Sequence, residues 1–523
     1  MYRPIILIIL DGWGINTSDS NVTNQINLPT FDILKNNYPM IALQASGISV
    51  GLPWGKPGNS EVGHTTLGLG RIVYQNFPRI SLAIQNGSFA TNSAFMETFE
   101  NIKNKKGDLH LIGLIGDGYV HSSREHLYEL VKLAKINGVK NIFIHCFTDG
   151  RDSSPTAFTR VYKEMNEEIN EIGAGKIATI IGRNWAMDRN NNWERIEKAY
   201  KMLVNGEGEK TTDPLSIIEQ SYENKITDEF LEPIILADRK GEPLTKIKDG
   251  DGIVYINFRE DRARQLTQVF TDKNFDKFNV DNKPNVTFLT MTEYDESFPA
   301  KVAFPPIEKT NSLGEVLSKN NLKQLRIAET EKYAHVTYFF NGGGEEIWPG
   351  EDRVVIPSKA VKTFDEKPEM QAREITKKII NFVNEKKYDF ILVNYANADM
   401  IAHTGNEEAA KEAAKVLDEC LKNLSDVVLR KNGCMLITAD HGNIEVMKNP
   451  HTGEVDTQHN TSPVPLWFVS PDNQRRKSEG QILNEQVSIR GILSDVAPTI
   501  LELLEIKKPL EMQGESLLPI FEE

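Results

Sequence analysis

Short, solidly apolar runs recur along the chain, each ending in a polar cluster: IILIIL (5–10), LHLIGLIG (109–116), NIFIHCF (141–147), KIATIIG (176–182), GIVYINF (252–258), NVTFLTM (285–291), DFILVNY (389–395) and CMLITAD (434–440). Runs of this length without polar alternation suit strands buried on both faces, which is what a parallel sheet covered by helices requires. Between them, HLYELVKLAKI (126–136), WERIEKAYKMLV (193–204) and AAKEAAKVLDECLKNLSDVVL (409–429) return an apolar residue every three or four positions, the spacing of helices that cover such a sheet. The pattern predicts an α/β protein without internal repeats or low-complexity tracts.

At 523 residues the chain exceeds what one hydrophobic core supports. Regular patterning is interrupted near 71–80, RIVYQNFPRI, and near 303–308, AFPPIE, where two prolines discourage secondary structure. These breaks predict a split domain, 1–76 with 309–523, and an inserted domain, 77–308. Apolar residues at 39% and charged residues at 26% fit a soluble globular protein. A net charge of -14 argues against a surface built for nucleic acid or anionic membrane, so an anionic ligand needs a pocket with concentrated arginines. Cys146, Cys420 and Cys434 are far apart and lack C-x-x-C spacing, which suits a reducing compartment. Ile5 to Leu10 is too short for a signal core and is cut off by Asp11, and no later segment approaches a membrane span. The expectation is a cytoplasmic protein acting on a small molecule.

In open parallel sheets, ligands bind beyond the carboxyl ends of the strands. There the flanking segments carry Asp11 after IILIIL, Asp399 and His403 after ILVNY, Asp440 and His441 after LIT, and His459 just before the apolar run VPLWFV. Asp399 and His403 share a face if helical, and Asp440 and His441 converge in a loop. Each acid alone reads as a helix cap. Three Asp and three His together exceed what one divalent ion takes from protein, so two metal ions are expected. His451, in NPHTGE, reads as surface.

The stretch PGNSEVGHTTLGLG (57–70) reads as a glycine-rich loop and lacks the G-x-S-x-G pattern of a nucleophile elbow. Beside two metals, however, Ser60 becomes a candidate nucleophile, because coordination favours its alkoxide. In the insert the strand ends carry His121, Arg151 and Asp152, Arg183 and Arg189, then Arg259 and Arg262. Five arginines in an acidic protein suggest a clamp for carboxylate or phosphate, although Asp188, Glu260 and Asp261 lie close enough in sequence to be ion-pair partners.

The segments DGWG (11–14), GNSEVGH, DGRD, GRNWAMDR, NFREDRARQ, ETEKYAHVT (329–337), NADMIAHTG and ITADHGN, in this order, closely resemble the cofactor-independent, metal-dependent phosphoglycerate mutases of the alkaline phosphatase superfamily. The resemblance spans nearly the whole chain. It implies a phosphatase-like split domain and a substrate-binding insert that together interconvert 3-phosphoglycerate and 2-phosphoglycerate through a phosphoserine on Ser60, without added bisphosphoglycerate. It also implies that Asp11, Ser60, Asp440 and His441 hold one Mn²⁺ and Asp399, His403 and His459 another, other divalent ions being possible. His121, Arg151, Asp152, Arg183, Arg189, Arg259 and Arg262 would bind phosphoglycerate, Asp152 would shuttle a proton, and Lys332 would reach the phosphate. His64 receives no catalytic role, and a monomer is expected. Ser153-Ser154-Pro155 after DGRD, Asn184 with Trp185, and Asn460 with Ser462 depart from the family pattern without replacing a proposed ligand. The rival readings are a metal-dependent phosphomonoesterase on the same core and a non-catalytic relative; the latter predicts missing ligands, and none is missing.

Overall fold

A computed structural model describes residues 2–18, 20–280, 283–449 and 452–522, so His451 lies outside the described residues. The strands, numbered along the chain, are β1 (Ile5–Leu10), β2 (Met40–Gln44), β3 (Leu109–Ile115), β4 (Ile142–Thr148), β5 (Lys176–Gly182), β6 (Glu209–Thr211), β7 (Ile234–Leu236), β8 (Gly252–Tyr255), β9 (Thr287–Thr292), β10 (Lys301–Phe304), β11 (Gln324–Glu329), β12 (Glu351–Ile356), β13 (Phe390–Tyr395), β14 (Cys434–Thr438), β15 (Val464–Val469) and β16 (Ile489–Ile492). They belong to two compact units: a split unit, Met1–Gln75 with Ile307–Glu523, and an inserted unit, Asn76–Pro306.

The split unit is built on a sheet of order β12-β11-β13-β1-β14-β15-β2-β16. Its central strands are parallel, with Leu10 of β1 opposite Tyr395 of β13 and Ile9 opposite Thr438 of β14, so the carboxyl ends of these strands finish level. Every residue of β1 is buried, because helices cover both faces. The covering helix Glu407–Arg430 starts at Asn406, whose side chain accepts from the Ala409 N–H, and it buries Leu417, Leu421, Leu424 and Val428 at helical spacing. Each such side chain contributes about 1.5–3 kcal/mol, more than helix propensity supplies, so packing holds this helix in place.

Two expectations change. The apolar run VPLWFV forms β15, which is antiparallel to β14 and to β2, so this sheet is mixed. An apolar run records burial but carries no direction, and only the connection decides it. PGNSEVGHTTLGLG is largely helical: Asn59 caps the helix Ser60–Leu69 by accepting from the Val62 N–H, and Gly70 ends it at φ 58°. The glycines that suggested a loop serve close approach instead. A Cβ on Gly63 would lie 2.7 Å from Asp440.

The inserted unit has the sheet order β10-β9-β8-β3-β4-β5-β7-β6, parallel from β10 to β5 and reversed at β7. The run GIVYINF leaves the strand at Tyr255, yet its backbone stays tied, Ile256 N–H to Ile112 O at 2.9 Å and Phe258 N–H to His121 O at 2.8 Å. Among the described residues no helix is long and apolar enough to cross a membrane.

Candidate active site

The adjacent parallel strands β11, β13, β1 and β14 of the split unit deliver one polar cluster beyond their carboxyl ends. Asp11 follows β1 directly. The turn after it needs glycine: Gly12 has φ 74°, and a Cβ there would lie 2.9 Å from Asp399. Asp399 sits in the helix Asn397–Ala402, and its N–H donates to Asp11 O at 3.0 Å. Asp440 and His441 follow β14, and Lys332 ends a short turn after β11. Ser60 Oγ donates to Asp11 Oδ1 at 3.2 Å, lies 3.1 Å from His441 Nε2 and accepts from Lys332 Nζ at 2.9 Å. Lys332 Nζ also donates to Asp11 Oδ1 at 2.7 Å and to Asp399 Oδ2 at 2.6 Å. His403 Nε2 and His459 Nε2 each lie 3.2 Å from Asp399 Oδ1. The structure therefore brings together Asp11, Ser60, Lys332, Asp399, His403, Asp440, His441 and His459.

The electrostatics of this cluster suit cations. Asp11, Asp440 and His441 offer ligand atoms that all lie within 4.8 Å of one another, as do Asp399, His441 and His459. Burial, then Asp440, push the Asp11 carboxyl up; against the same burial, Lys332 and hydrogen bonds from His403 and His459 hold that of Asp399 well below the usual range. Burial opposes Asp440 as well, but His441, first among the opposing causes, holds its carboxyl low. Three buried carboxylates thus share one ammonium, an excess of negative charge that divalent cations would neutralise. Asp440 Oδ2 is buried and accepts no hydrogen bond among the described residues, which leaves its lone pairs for such an ion.

In the inserted unit, β8, β3, β4 and β5 are likewise adjacent and parallel, and the residues beyond their carboxyl ends also converge. Arg183 donates through Nη1 to Asp149 Oδ1 and to Asp152 Oδ2, both at 2.6 Å, and its Nη2 lies 3.1 Å from His121 Nε2. Asp261 takes Arg189 at 2.7 Å and Arg259 at 3.1 Å. Arg151 lies 3.6 Å from Glu229. Arg262 donates to Met187 O at 3.1 Å and has no carboxylate within ion-pair distance among the described residues. Burial, then Arg183, Arg189 and Arg151, lower its pKa, with Asp261 acting against them. Burial followed by Arg183 depresses His121 to about 4, so near neutral pH it is an uncharged imidazole.

A family profile described as the BPG-independent PGAM N-terminus matches residues 80–296. The curated 2,3-bisphosphoglycerate-independent phosphoglycerate mutase of Moorella thermoacetica is 48% identical over 518 residues, 99% of this chain and 98% of that protein. That of Francisella philomiragia is 45% identical over 519 residues, 99% of both. The chain belongs to this family. A crystal structure of Leishmania mexicana phosphoglycerate mutase at low cobalt concentration, 30% identical to this phosphoglycerate mutase family member, matches it with a TM-score of 0.50 over 98% of this chain and 97% of that one.

Sequence reading passed over several polar residues that this mutase buries beside the cluster. Asn394 is fully buried at the end of β13, and its Nδ2 donates to Asp11 Oδ2 at 2.6 Å. Asn443 Nδ2 donates to Asp399 Oδ1 at 2.8 Å, and Glu445 Oε2 accepts from Gly14 N–H at 2.8 Å. In the insert, Asp149 was missed. For Asn394 a signal existed: a polar side chain inside the run FILVNY must find a partner if the run is buried. Asp261, Asp188 and Glu260, read as possible ion-pair partners, all are: Asp261 pairs with Arg189 and Arg259, whereas Asp188, which also caps its own loop, lies 3.5 Å from Arg195 and Glu260 3.9 Å from Arg264, neither of them a proposed clamp arginine.

Proposed function

We propose that the chain interconverts 3-phosphoglycerate and 2-phosphoglycerate through a phosphoserine on Ser60, working as a cytoplasmic monomer without bisphosphoglycerate. It is an isomerase of a metal-dependent family. In this reading Asp11, Ser60, Asp440 and His441 hold one divalent ion and Asp399, His403 and His459 a second, manganese being the ion we assign. When bound, the ions would lower the pKa of the serine hydroxyl and neutralise charge on the transferring oxygens.

The chain's own residues do the rest. Ser60 Oγ attacks phosphorus from the first residue of its helix, whose positive dipole end favours an incoming anion. As the Oγ–P bond forms, Ser60 gives up its hydroxyl proton to solvent, to be regained when the phosphoryl group leaves it, the bond from phosphorus to the glycerate oxygen breaks, and Asp152 passes that oxygen a proton. Lys332, whose pKa is raised by Asp11 and Asp399 despite burial, stays charged and stabilises the phosphoryl oxygens. The other glycerate hydroxyl then gives its proton to Asp152, attacks phosphorus and frees Ser60. Between the two transfers the arginines must retain glycerate, with His121 as a neutral hydrogen-bonding group.

The observation that carries this reading is the Ser60 hydroxyl, within hydrogen-bond reach of Lys332, Asp11 and His441 at once. Purified chain given 3-phosphoglycerate and Mn²⁺, with no bisphosphoglycerate, should yield 2-phosphoglycerate and little free phosphate, and a chelator should stop it. Ser60→Ala should lower turnover at least about 10⁴-fold, the scale of losing a nucleophile. Predominant release of phosphate would favour the phosphomonoesterase, and unchanged turnover of Ser60→Ala would remove the nucleophile assignment.

A further inference from the structure

His64 lies one helical turn after Ser60, completely buried, and the proposed mechanism gives it no role. Its Nδ1 is 2.8 Å from Ser60 O and 3.2 Å from Asp440 Oδ2. Both neighbours are acceptors, so Nδ1 carries the hydrogen and donates it to Ser60 O. Nε2 is then an acceptor, and Asn394 Nδ2 lies 3.0 Å from it. The same amide nitrogen donates to Asp11 Oδ2. Its two hydrogens are thereby both used, and the opposite amide orientation would set its oxygen against a carboxylate. With Oδ2 of Asp11 fixed in this way, Oδ1 is the oxygen turned toward Ser60 Oγ and Lys332 Nζ.

From this connectivity we propose that His64 and Asn394 are positioning residues for phosphoryl transfer. A single hydrogen-bonded relay from the Ser60 backbone through His64 and Asn394 to Asp11 sets the orientation of that carboxylate relative to the nucleophile and to the cation it holds. The proposal rests on the metal assignment made above. It differs from a core histidine that only satisfies its own polar atoms, because the relay joins two separate elements, the helix Ser60–Leu69 and the end of β13, and finishes on a functional carboxylate. Partners of metal-binding side chains orient them, and their loss typically costs about 10–100-fold in metal affinity or activity.

The test uses the full chain and Mn²⁺ alone, with free Mn²⁺ followed by electron paramagnetic resonance, alongside thermal melts and steady-state kinetics. His64→Leu removes the acceptor for Asn394, Asn394→Leu removes the donor to Asp11, and His64→Gln returns an amide oxygen near the place of Nε2. Expected are folded proteins in which both leucine variants bind Mn²⁺ about 10–100-fold more weakly and lose kcat with KM little changed. His64→Gln should recover most of both, and the double leucine variant should be no worse than the poorer single one, as expected when one linkage is cut twice. Wild-type Mn²⁺ affinity in either folded leucine variant, or a His64→Gln no better than His64→Leu, would reduce the relay to packing. Should His64→Leu fail to fold, Asn394→Leu breaks the same linkage from another element. A failure of the metal reading itself is distinguishable, because wild-type chain would then bind no Mn²⁺ at all.

Discussion

The two units place their polar clusters alike and charge them oppositely. In each, the reactive-looking side chains stand beyond the carboxyl ends of four adjacent parallel strands, β11-β13-β1-β14 in one and β8-β3-β4-β5 in the other. The split unit crowds Asp11, Asp399 and Asp440 around the ammonium of Lys332. The inserted unit surrounds Asp149, Asp152 and Asp261 with guanidinium groups and, among the described residues, leaves Arg262 without a carboxylate at ion-pair distance. One layout thus yields a site short of positive charge and another short of negative charge. The first suits cations and the chemistry they support, and the second suits retention of an anion.

Among tests of this contrast in charge, the largest effect should come from removing the single ammonium. Lys332→Met keeps the stem but strips the charge that Asp11 and Asp399 share, and we expect kcat to fall about 10²–10³-fold, the scale of one preorganised electrostatic donor. Without metal, the variant should also lose about 3–5 kcal/mol of stability, because breaking a buried ion pair strands its partners. If the carboxylates suit cations, saturating Mn²⁺ should restore most of the stability and none of the turnover. Melts with and without Mn²⁺, set beside kinetics, check this; a kcat near wild type, or destabilisation that ignores Mn²⁺, would break the contrast between the units.

A smaller effect should follow at the opposite cluster. Arg262 is the guanidinium that can take a substrate anion without surrendering an ion pair, so Arg262→Ala should raise KM for phosphoglycerate about 10–100-fold, within the range for losing a charged hydrogen bond. Retention of glycerate should fail before phosphoryl transfer does, shifting the product ratio from 2-phosphoglycerate toward free phosphate. Product analysis by NMR reads that ratio. If KM rises with no added phosphate release, Arg262 contributes binding alone and the retention role falls to its neighbours.

These clusters differ in how far the sequence exposes them. The apolar runs mark the strands because double-sided burial leaves no room for alternation, and the residues just past each run are where a parallel sheet displays its ligands. Asp11, Asp440 and Arg183 were legible for that reason. Strand direction was not, as β15 shows, since the apolar pattern of VPLWFV is the same read either way. The helix Ser60–Leu69 was hidden by its glycines, whose need arises from close contacts distant in sequence, Gly63 with Asp440 and Gly68 with Phe340, which local propensity cannot register. Asn394 and Asp149 escaped because a lone polar residue in or after an apolar run gains meaning only from its partner.

The smallest effect sets the insert's depressed histidines against the two beside Asp399 in the split unit, whose shifts have the opposite sign. In the inserted unit, burial, then Arg183, depress His121 to about 4, burial depresses His126 to about 4, and burial with His110 holds His145 well below its usual value. A histidine whose folded pKa is depressed contributes stability that is complete above the unfolded value near 6.5 and is lost as pH falls toward the folded value. In the split unit, His335 behaves in the same way, brought to about 3 by burial and His64. There, however, the Asp399 hydrogen bond raises His403 and, against burial, His459, so their contribution is complete below the unfolded value and is lost as pH rises. Acidifying the chelated full-length chain from pH 7.5 to 5 should therefore weaken β3 and β4 of the insert first, by up to about 1.4 kcal/mol per pH unit for each proton taken up on unfolding. Hydrogen exchange measured peptide by peptide, corrected for intrinsic rates, should show those strands losing protection while residues 397–403 change less or gain. Equal loss in both units would mean that the carboxylates, and not the histidines, govern the acid response, and the opposition between the two clusters would then stop at their charges.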